Sequence, residues 1–418
     1  MARAAFYAQS GGVTAVINAS ACGVIETARQ HPETFSTVLA GRDGIVGALA
    51  ENLIDTGMES AARVEALRHT PGGAFGSCRY KLGDLQGQRD EYLRLLEVFA
   101  AHDVGYFFYN GGGDSQDATH KVAQFSREFG YPIQAIGIPK TVDNDLPRTD
   151  CCPGFGSIAK YVATSIREAA FDVASMAATS TRIFILEVMG RHAGWVAAAG
   201  ALAQRGPGDA PHLVVMPEVP FERARFMERV ARSVEEHGYC AMVVSEGARY
   251  ADGKFVADAG QVDRFGHTQL GGIAPAISAM INADLGIKNH WAVADYLQRS
   301  AAHLASATDV EQAYAVGQHA VELALQGAND VMTTIERLSD SPYRWTVGHA
   351  PLASVANTER VLPRAFISAD GFGITEACRR YLAPLIMGEA TPPYRDGLPD
   401  YVTLENHQVP KRLPERST

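Results

Sequence analysis

Nowhere do about 18 apolar residues follow one another, so nothing in the chain reads as a membrane-spanning helix. Cysteine is sparse and unpatterned. Cys22, Cys78, Cys151, Cys152, Cys240 and Cys378 contain no C-x-x-C pair and no disulfide framework, which fits a reducing compartment and small buried thiols. Positive charge is in deficit: 37 Lys and Arg against 47 Asp and Glu leave a formal net charge of -10. That balance excludes a general attraction to nucleic acid or to an anionic membrane. An anionic substrate must then be held by local cations. The first ten residues, Met1–Ser10, hold one arginine and no apolar core or cleavage pattern, so no secretory leader is expected and the chain reads as cytoplasmic. A dinucleotide fingerprint of the G-x-G-x-x-G type is also missing at the first strand end, which counts against a nucleotide-dependent oxidoreductase.

What is present is an ordinary globular composition, 46% hydrophobic and 20% charged over 418 residues. That length suits about two to three domains and a large buried core. Short apolar runs at Ala4–Ala8, Thr37–Ala40, Val104–Tyr109, Ile133–Ile138, Arg182–Val188, Leu213–Met216 and Ala241–Val244 predict buried strands. Between them, Val16–Arg29 and Gln116–Phe129 carry apolar residues at helical spacing, such as Ala118, Val122, Phe125 and Phe129. Alternating strands and helices predict an α/β fold with parallel sheets covered on both faces, and ligands beyond the carboxyl ends of the strands. A break near Asp150-Cys151-Cys152-Pro153-Gly154 divides residues 1–150 from 151–300. Residues 301–418 read as mainly helical, with Asp309–Gln326 as a candidate helix and a Pro- and charge-rich tail from Thr391 that wraps the surface or is partly mobile.

The predicted strand ends carry the polar motifs. The first ends in Gln9-Ser10-Gly11-Gly12-Val13-Thr14 and enters a helix; paired glycines let the backbone approach an anion at a helix N-terminus, or simply make a tight turn. Another ends in Asn110-Gly111-Gly112-Gly113-Asp114-Ser115, where glycines can bring a polyphosphate against backbone amides. Asp114 is odd beside an anion. It reads as a metal-facing group, an excluder of extra phosphate, or a helix cap. A third end reads Pro139-Lys140-Thr141-Val142-Asp143-Asn144-Asp145, with two carboxylates and a lysine suited to proton abstraction beside a phosphate, or to an Asx-rich turn. Later ends add Met189-Gly190-Arg191, Ser245-Glu246-Gly247, Lys288-Asn289-His290 and Tyr296-Leu297-Gln298-Arg299, with Arg182 opening a strand. Arginines there can clamp a sugar phosphate, and Glu246 can accept sugar hydroxyls.

These motifs, together with Gly41-Arg42-Asp43-Gly44 and Pro71-Gly72-Gly73 through Arg79, fall in one order, and in that order the chain resembles the phosphofructokinase family. The later part, through Val355-Ala356-Asn357 and Pro384-Leu385-Ile386, is similar to the family's bacterial diphosphate-using branch. The resemblance implies two Rossmann-like α/β/α domains with parallel-rich sheets, an active site in the cleft between them, and a helical C-terminal region packed on both. It implies that Asp143 takes the proton from the sugar 1-hydroxyl, with Lys140, Thr141 and Arg191 in the catalytic set and Asp145 beside the sugar and metal. Gly11, Gly12, Arg79, Gly112, Gly113, Asp114, Ser115 and Lys140 fall at phosphate-donor positions. Met189, Gly190, Arg191, Glu246, His290, Tyr296 and Arg299 fall at fructose 6-phosphate positions. Arg182 matches an arginine that reaches into a neighbouring subunit's site, so a homodimer or homotetramer is implied.

Two positions distinguish the donor. Members that use ATP usually have glycine at positions 114 and 140; this chain has Asp114 and Lys140, the diphosphate pattern. A carboxylate fills the room an α-phosphate needs and repels it, while an ammonium can neutralise charge developing in phosphoryl transfer. The implied activity is reversible phosphoryl transfer from diphosphate to fructose 6-phosphate with Mg²⁺. The alternatives are an ATP-dependent 6-phosphofructokinase and a catalytically silent sugar-phosphate or diphosphate sensor. Three departures stand out. Gly113 replaces an aspartate that the family assigns to Mg²⁺, leaving Asp114 and Asp145 as metal candidates. His290 and Tyr296 replace an arginine and a histidine, which leaves room for a seven-carbon acceptor such as sedoheptulose 7-phosphate.

Overall fold

The structure, a computed structural model, describes residues 2–83, 87–262, 268–270 and 272–414, with only the backbone of 258–262 and 268–270. Strands β1 (Arg3–Gln9), β2 (Phe35–Gly41), β3 (Leu53–Asp55), β4 (Val104–Gly111) and β5 (Gln134–Pro139) come first. After them come β6 (Ile183–Val188), β7 (Leu213–Val215), β8 (Cys240–Ser245), the hairpin β9 (Asp258–Val262) and β10 (Thr268–Leu270), and β11 (Asn289–Val293). The chain then returns with β12 (Val331–Asp340) and β13 (Tyr343–Pro351).

Two main sheets result. The first has the order β13-β12-β5-β4-β1-β2-β3, with a parallel interior and an antiparallel strand at each edge. The second has the order β11-β6-β8-β7 and is parallel throughout. The α/β class and parallel-rich sheets expected from the sequence are therefore present. The side-chain period of a strand explains why both faces are covered. Along β1, Ala5 and Tyr7 join a core that also holds Phe108, Ile136 and Ile138, whereas Ala4, Phe6 and Ala8 join a second core with Phe107, Tyr109 and Ala135. The first of these cores continues across the molecule to Trp195, Val214 and Val243 of the second sheet's layer. No helix among the described residues is long and apolar enough to cross a membrane.

The C-terminal third departs from expectation. The predicted helix is there, as Ala307–Leu325, and packs on the helix Ile17–Arg29. Gly23 and Gly317 make that crossing possible. A Cβ on Gly23 would collide with the Tyr314 carbonyl, and one on Gly317 with the Ser20 carbonyl. The next segment is not helical, however. β12 and β13 form a long hairpin that pairs with β5 through Val331 and Met332 and extends the first sheet. The physical reason lies in Thr333-Thr334-Ile335 and Tyr343-Arg344-Trp345-Thr346-Val347, which are β-branched and aromatic runs that favour a pleated surface. The tail wraps rather than dangles. The Asp55 and Val409 amides bond to the His407 and Leu53 carbonyls, and buried Glu51 accepts from the Arg412 and Leu413 amides. Its last four residues lie outside the described ones.

Trp195 joins the layers: 2% exposed, it lies edge-on to Phe155 and Phe366 and tilts against Tyr381. Trp195→Ala is expected to cost about 3–5 kcal/mol, read as a lower urea midpoint.

Candidate active site

Because the inner strands of each sheet run parallel, their carboxyl ends cluster, and those ends of the two sheets meet. Lys140 leaves β5 held by its amide to the Gly111 carbonyl (3.2 Å), and its Nζ donates to the Gly12 carbonyl at 2.8 Å. The lysine is only 3% exposed. Gly12 in turn abuts Arg299, carried by the short helix Asp295–Ser300 of the second half. A Cβ on Gly12 would collide with the Arg299 guanidinium and lie 3.6 Å from Arg79 Nη2. Residues expected on the donor side and on the sugar side are thus in contact.

The loop after Lys140 is shaped by its own side chains. Thr141 Oγ1 accepts the Asp143 amide at 3.1 Å and lies beside the Asp145 carboxylate, whose ionised form it favours. Asn144, with φ of +53°, accepts the Cys152 amide on its side-chain oxygen and donates to the Tyr381 hydroxyl. Turned this way, Asp143 and Asp145 share a crowded pocket. Burial first, then the Asp145 and Glu246 charges, push the Asp143 carboxyl up to about 7, against the pull of Lys140. Burial also raises Asp145 and Glu246, the latter against Arg191. Burial and the Arg299 charge bring Lys140 down to about 8, opposed by Asp143 and Asp145. A carboxyl and an ammonium thus titrate near neutrality side by side, an arrangement typical of sites that move protons.

The other sequence candidates separate into groups. The Gly190 carbonyl accepts from Ser245 Oγ at 2.6 Å, and the Met189 amide donates to Gln298. These contacts set the turn that carries Arg191 towards Glu246. Tyr296 is 61% exposed, and its ring lies under the Arg299 guanidinium at 3.9 Å. Gly112 and Gly113 leave open backbone at the end of β4, whereas Ser115 is buried beneath them against Gly111. Asp114 is exposed and paired with Lys81 at 2.9 Å. Two candidates do not join this cluster. Arg182 sits at the amino end of β6, where its guanidinium bonds the Val234 and Gly238 carbonyls at a helix end. His290 pairs with Phe184 on the exposed edge strand, about 13 Å of strand before Val188.

Glu359 and Arg360, which the sequence motifs did not single out, arrive from the C-terminal return together with Asn357 of the Val355-Ala356-Asn357 motif. Glu359 adds its charge beside Asp143 and Asp145 and pairs with His192 at 3.3 Å. Asn357 bonds Asp117, and Arg360 bonds the carbonyls of the Asp143 loop. The only signal of Glu359 and Arg360 was a charged pair after Val355-Ala356-Asn357. The carboxylates Asp143, Asp145, Glu246 and Glu359 gather around this pocket, with Lys140, Arg191 and Arg299 as cations beside them. Among the described residues no three acidic, histidine or cysteine side chains converge as a ready cage. Mg²⁺ typically needs only one or two carboxylates plus phosphate oxygens, so the residues present fit it through Asp145. Asp114 fits less well while Lys81 occupies it. Since Asp145 disfavours the ionised Asp143, Asp145→Asn is expected to lower the Asp143 midpoint from about 7, measured by NMR of carbon-13-labelled aspartate.

Comparison with known proteins gives the family. The family model described as Phosphofructokinase matches residues 5–324. Over 412 residues the chain is 67% identical to the pyrophosphate--fructose 6-phosphate 1-phosphotransferase of Methylococcus capsulatus, covering 99% of this chain and 98% of that protein. A protein of the same name from Halomonas elongata is 65% identical over 411 residues, 98% of each chain. The crystal structure of the pyrophosphate-dependent phosphofructokinase from Nitrosospira multiformis superposes with a TM-score of 0.93 at 60% identity, covering both chains fully. With the motifs, the fold and near-full-length relatives in accord, the chain belongs to the phosphofructokinase family.

Proposed function

We propose that this protein transfers a phosphoryl group reversibly from diphosphate to the 1-hydroxyl of fructose 6-phosphate, yielding fructose 1,6-bisphosphate and phosphate. The observation that carries the reading is Lys140, an ammonium buried against Gly12 and flanked by Asp143, in a chain 67% and 65% identical to two relatives named for that reaction.

In this reading the open backbone at Gly11, Gly12, Gly112 and Gly113, with Arg79 and Lys140, receives diphosphate. Arg191 and Arg299 hold the sugar 6-phosphate through their fork of donors, and Glu246 accepts sugar hydroxyls. Asp143 removes the proton of the 1-hydroxyl as that oxygen attacks the near phosphorus, and the second phosphate leaves with the bridging oxygen. Lys140 offsets the charge spread over the transferring oxygens. Mg²⁺ is the proposed cofactor; Asp145 and diphosphate oxygens would hold it, and it would neutralise phosphate charge. Asp114, paired with Lys81 in the open, would repel the further phosphate and nucleoside of a longer donor. Arg182 is proposed to serve a neighbouring copy in a homodimer or homotetramer, because it lies at the far end of β6 from its own cluster. The six free cysteines support a reducing, cytoplasmic setting.

A coupled assay for fructose 1,6-bisphosphate is expected to give turnover with diphosphate and none with ATP; the reverse would overturn the donor reading. Asp143→Asn should lower kcat by about 10²–10⁴ with little change in the KM for fructose 6-phosphate. The kcat/KM profile should be bell-shaped. It rises as Asp143 loses its proton at about pH 7 and falls as Lys140 loses its own at about pH 8, measured by initial rates across pH.

A further inference from the structure

Between β13 and the second sheet the chain crosses the cleft as a strap. The Leu352 amide bonds the Asp330 carbonyl, Asn357 Nδ2 donates to Asp117 at 3.0 Å, and the Leu362 amide donates to Glu218 at 2.9 Å. Arg360 sits in the middle of the strap. Its amide donates to the Asp145 carbonyl at 2.7 Å. Nε and one Nη donate to the Asn144 carbonyl at 3.1 and 2.8 Å, and the other Nη donates to the Thr149 and Asp150 carbonyls, each at 2.8 Å. The guanidinium also lies 5.0 Å from the Trp195 ring centroid. Among the described residues no carboxylate forms an ion pair with it. A sheltered arginine without a carboxylate is unusual, since desolvating the charge is costly. Here backbone carbonyls of one loop take its donors, and that loop carries Asp143 and Asp145 on either side of Asn144.

We propose that Arg360 is a positioning residue of this active site: its guanidinium, supplied by the C-terminal strap, gathers the Asn144, Thr149 and Asp150 carbonyls and so holds the Asp143–Asp145 turn in its working shape. The inference rests on the reading of Asp143 as the base. Asn144 turns the loop at a positive φ, which asparagine tolerates better than most residues with a side chain, and the guanidinium fixes the carbonyl that this turn presents. A lysine could not replace the arginine: its donors radiate from one point, whereas these carbonyls are reached by three nitrogens of a planar fork. Tyr381, which accepts from Asn144 and donates to the Asp150 carbonyl, and Arg337, paired with Asp150 at 3.0 Å, brace the same loop from the same part of the chain.

The test compares Arg360→Lys and Arg360→Ala with the parent enzyme. Misplacing a catalytic group by about 1 Å can cost about 10² in rate, so kcat should fall about 10²-fold while KM for diphosphate and for fructose 6-phosphate stays within about threefold. Added guanidinium ion, below denaturing concentration, should restore about tenfold of the Arg360→Ala loss, and Arg360→Lys should not recover parental kcat. Hydrogen exchange of amides 141–150 should quicken in both variants. Parental kcat in either variant, or a loss that tracks a fallen melting temperature without rescue, would overturn the proposal. If Arg360→Ala does not fold, Arg360→Lys decides alone, because a melting temperature near the parent's with lowered kcat supports the proposal and parental kcat refutes it. The two readings fail separately. A parent enzyme inactive on diphosphate sinks the donor reading, whereas unchanged exchange of amides 141–150 sinks the role of Arg360.

Discussion

Lys140 gives up its hydration to rest against the Gly12 carbonyl, and the charges on both sides of the cleft are arranged around that exchange. An isolated ammonium in that position would be costly. Asp143 and Asp145 offset the cost, yet they cannot both ionise freely so close to each other and to Glu246. Arg299 and Arg79 press from the other side and keep the ammonium from being over-stabilised. The outcome is a lysine and an aspartate whose protons both sit within reach of neutral pH, set by burial rather than by any one partner.

Geometry is fixed from two directions. From the amino-terminal side, strand register puts the motif loops at the carboxyl ends of β1, β4 and β5. From the carboxyl-terminal side, the chain returns as a hairpin and then a strap, and Arg337, Arg360 and Tyr381 reach back to the loop beyond Lys140. The loop that carries Asp143 is therefore a short segment of the first half whose hydrogen bonds are supplied largely by residues far along the chain.

Much of this is legible in the amino-acid sequence, and the rest is hidden for physical reasons. The strands with continuous apolar runs, such as Val104–Tyr109, can be read directly, because buried parallel strands need apolar residues on both faces. The polar motifs at their ends can be read too, because they fall together in one order along the chain, although each alone also reads as a tight turn, a helix cap or an Asx-rich turn. The hairpin Val331–Pro351 cannot. Its outer positions, including Glu336, Leu338 and Arg344, are exposed, so its pattern is diluted by polar residues and a helix just before it dominates the reading. Arg360 is hidden for a different reason: its partners are backbone carbonyls, and these leave no trace in residue identity. Arg182 and His290 are legible as motif positions but not as places. Only strand register reveals that they stand at the wrong end of β6 and β11 to meet their own chain's Arg191.

The contact between Gly12 and Arg299 has an evolutionary side. The loop proposed to receive one ligand and the arginine proposed to hold the other occupy adjoining space, and a methyl group on residue 12 would have to displace the guanidinium. The guanidinium is the far end of a flexible side chain, so a larger residue 12 would push it aside rather than be forbidden. The coupling runs one way: enlarging residue 12 redirects the arginine, whereas shortening residue 299 leaves Gly12 free. In the proposed reading, divergence in the donor loop would therefore be felt first in the position of the arginine on the sugar side.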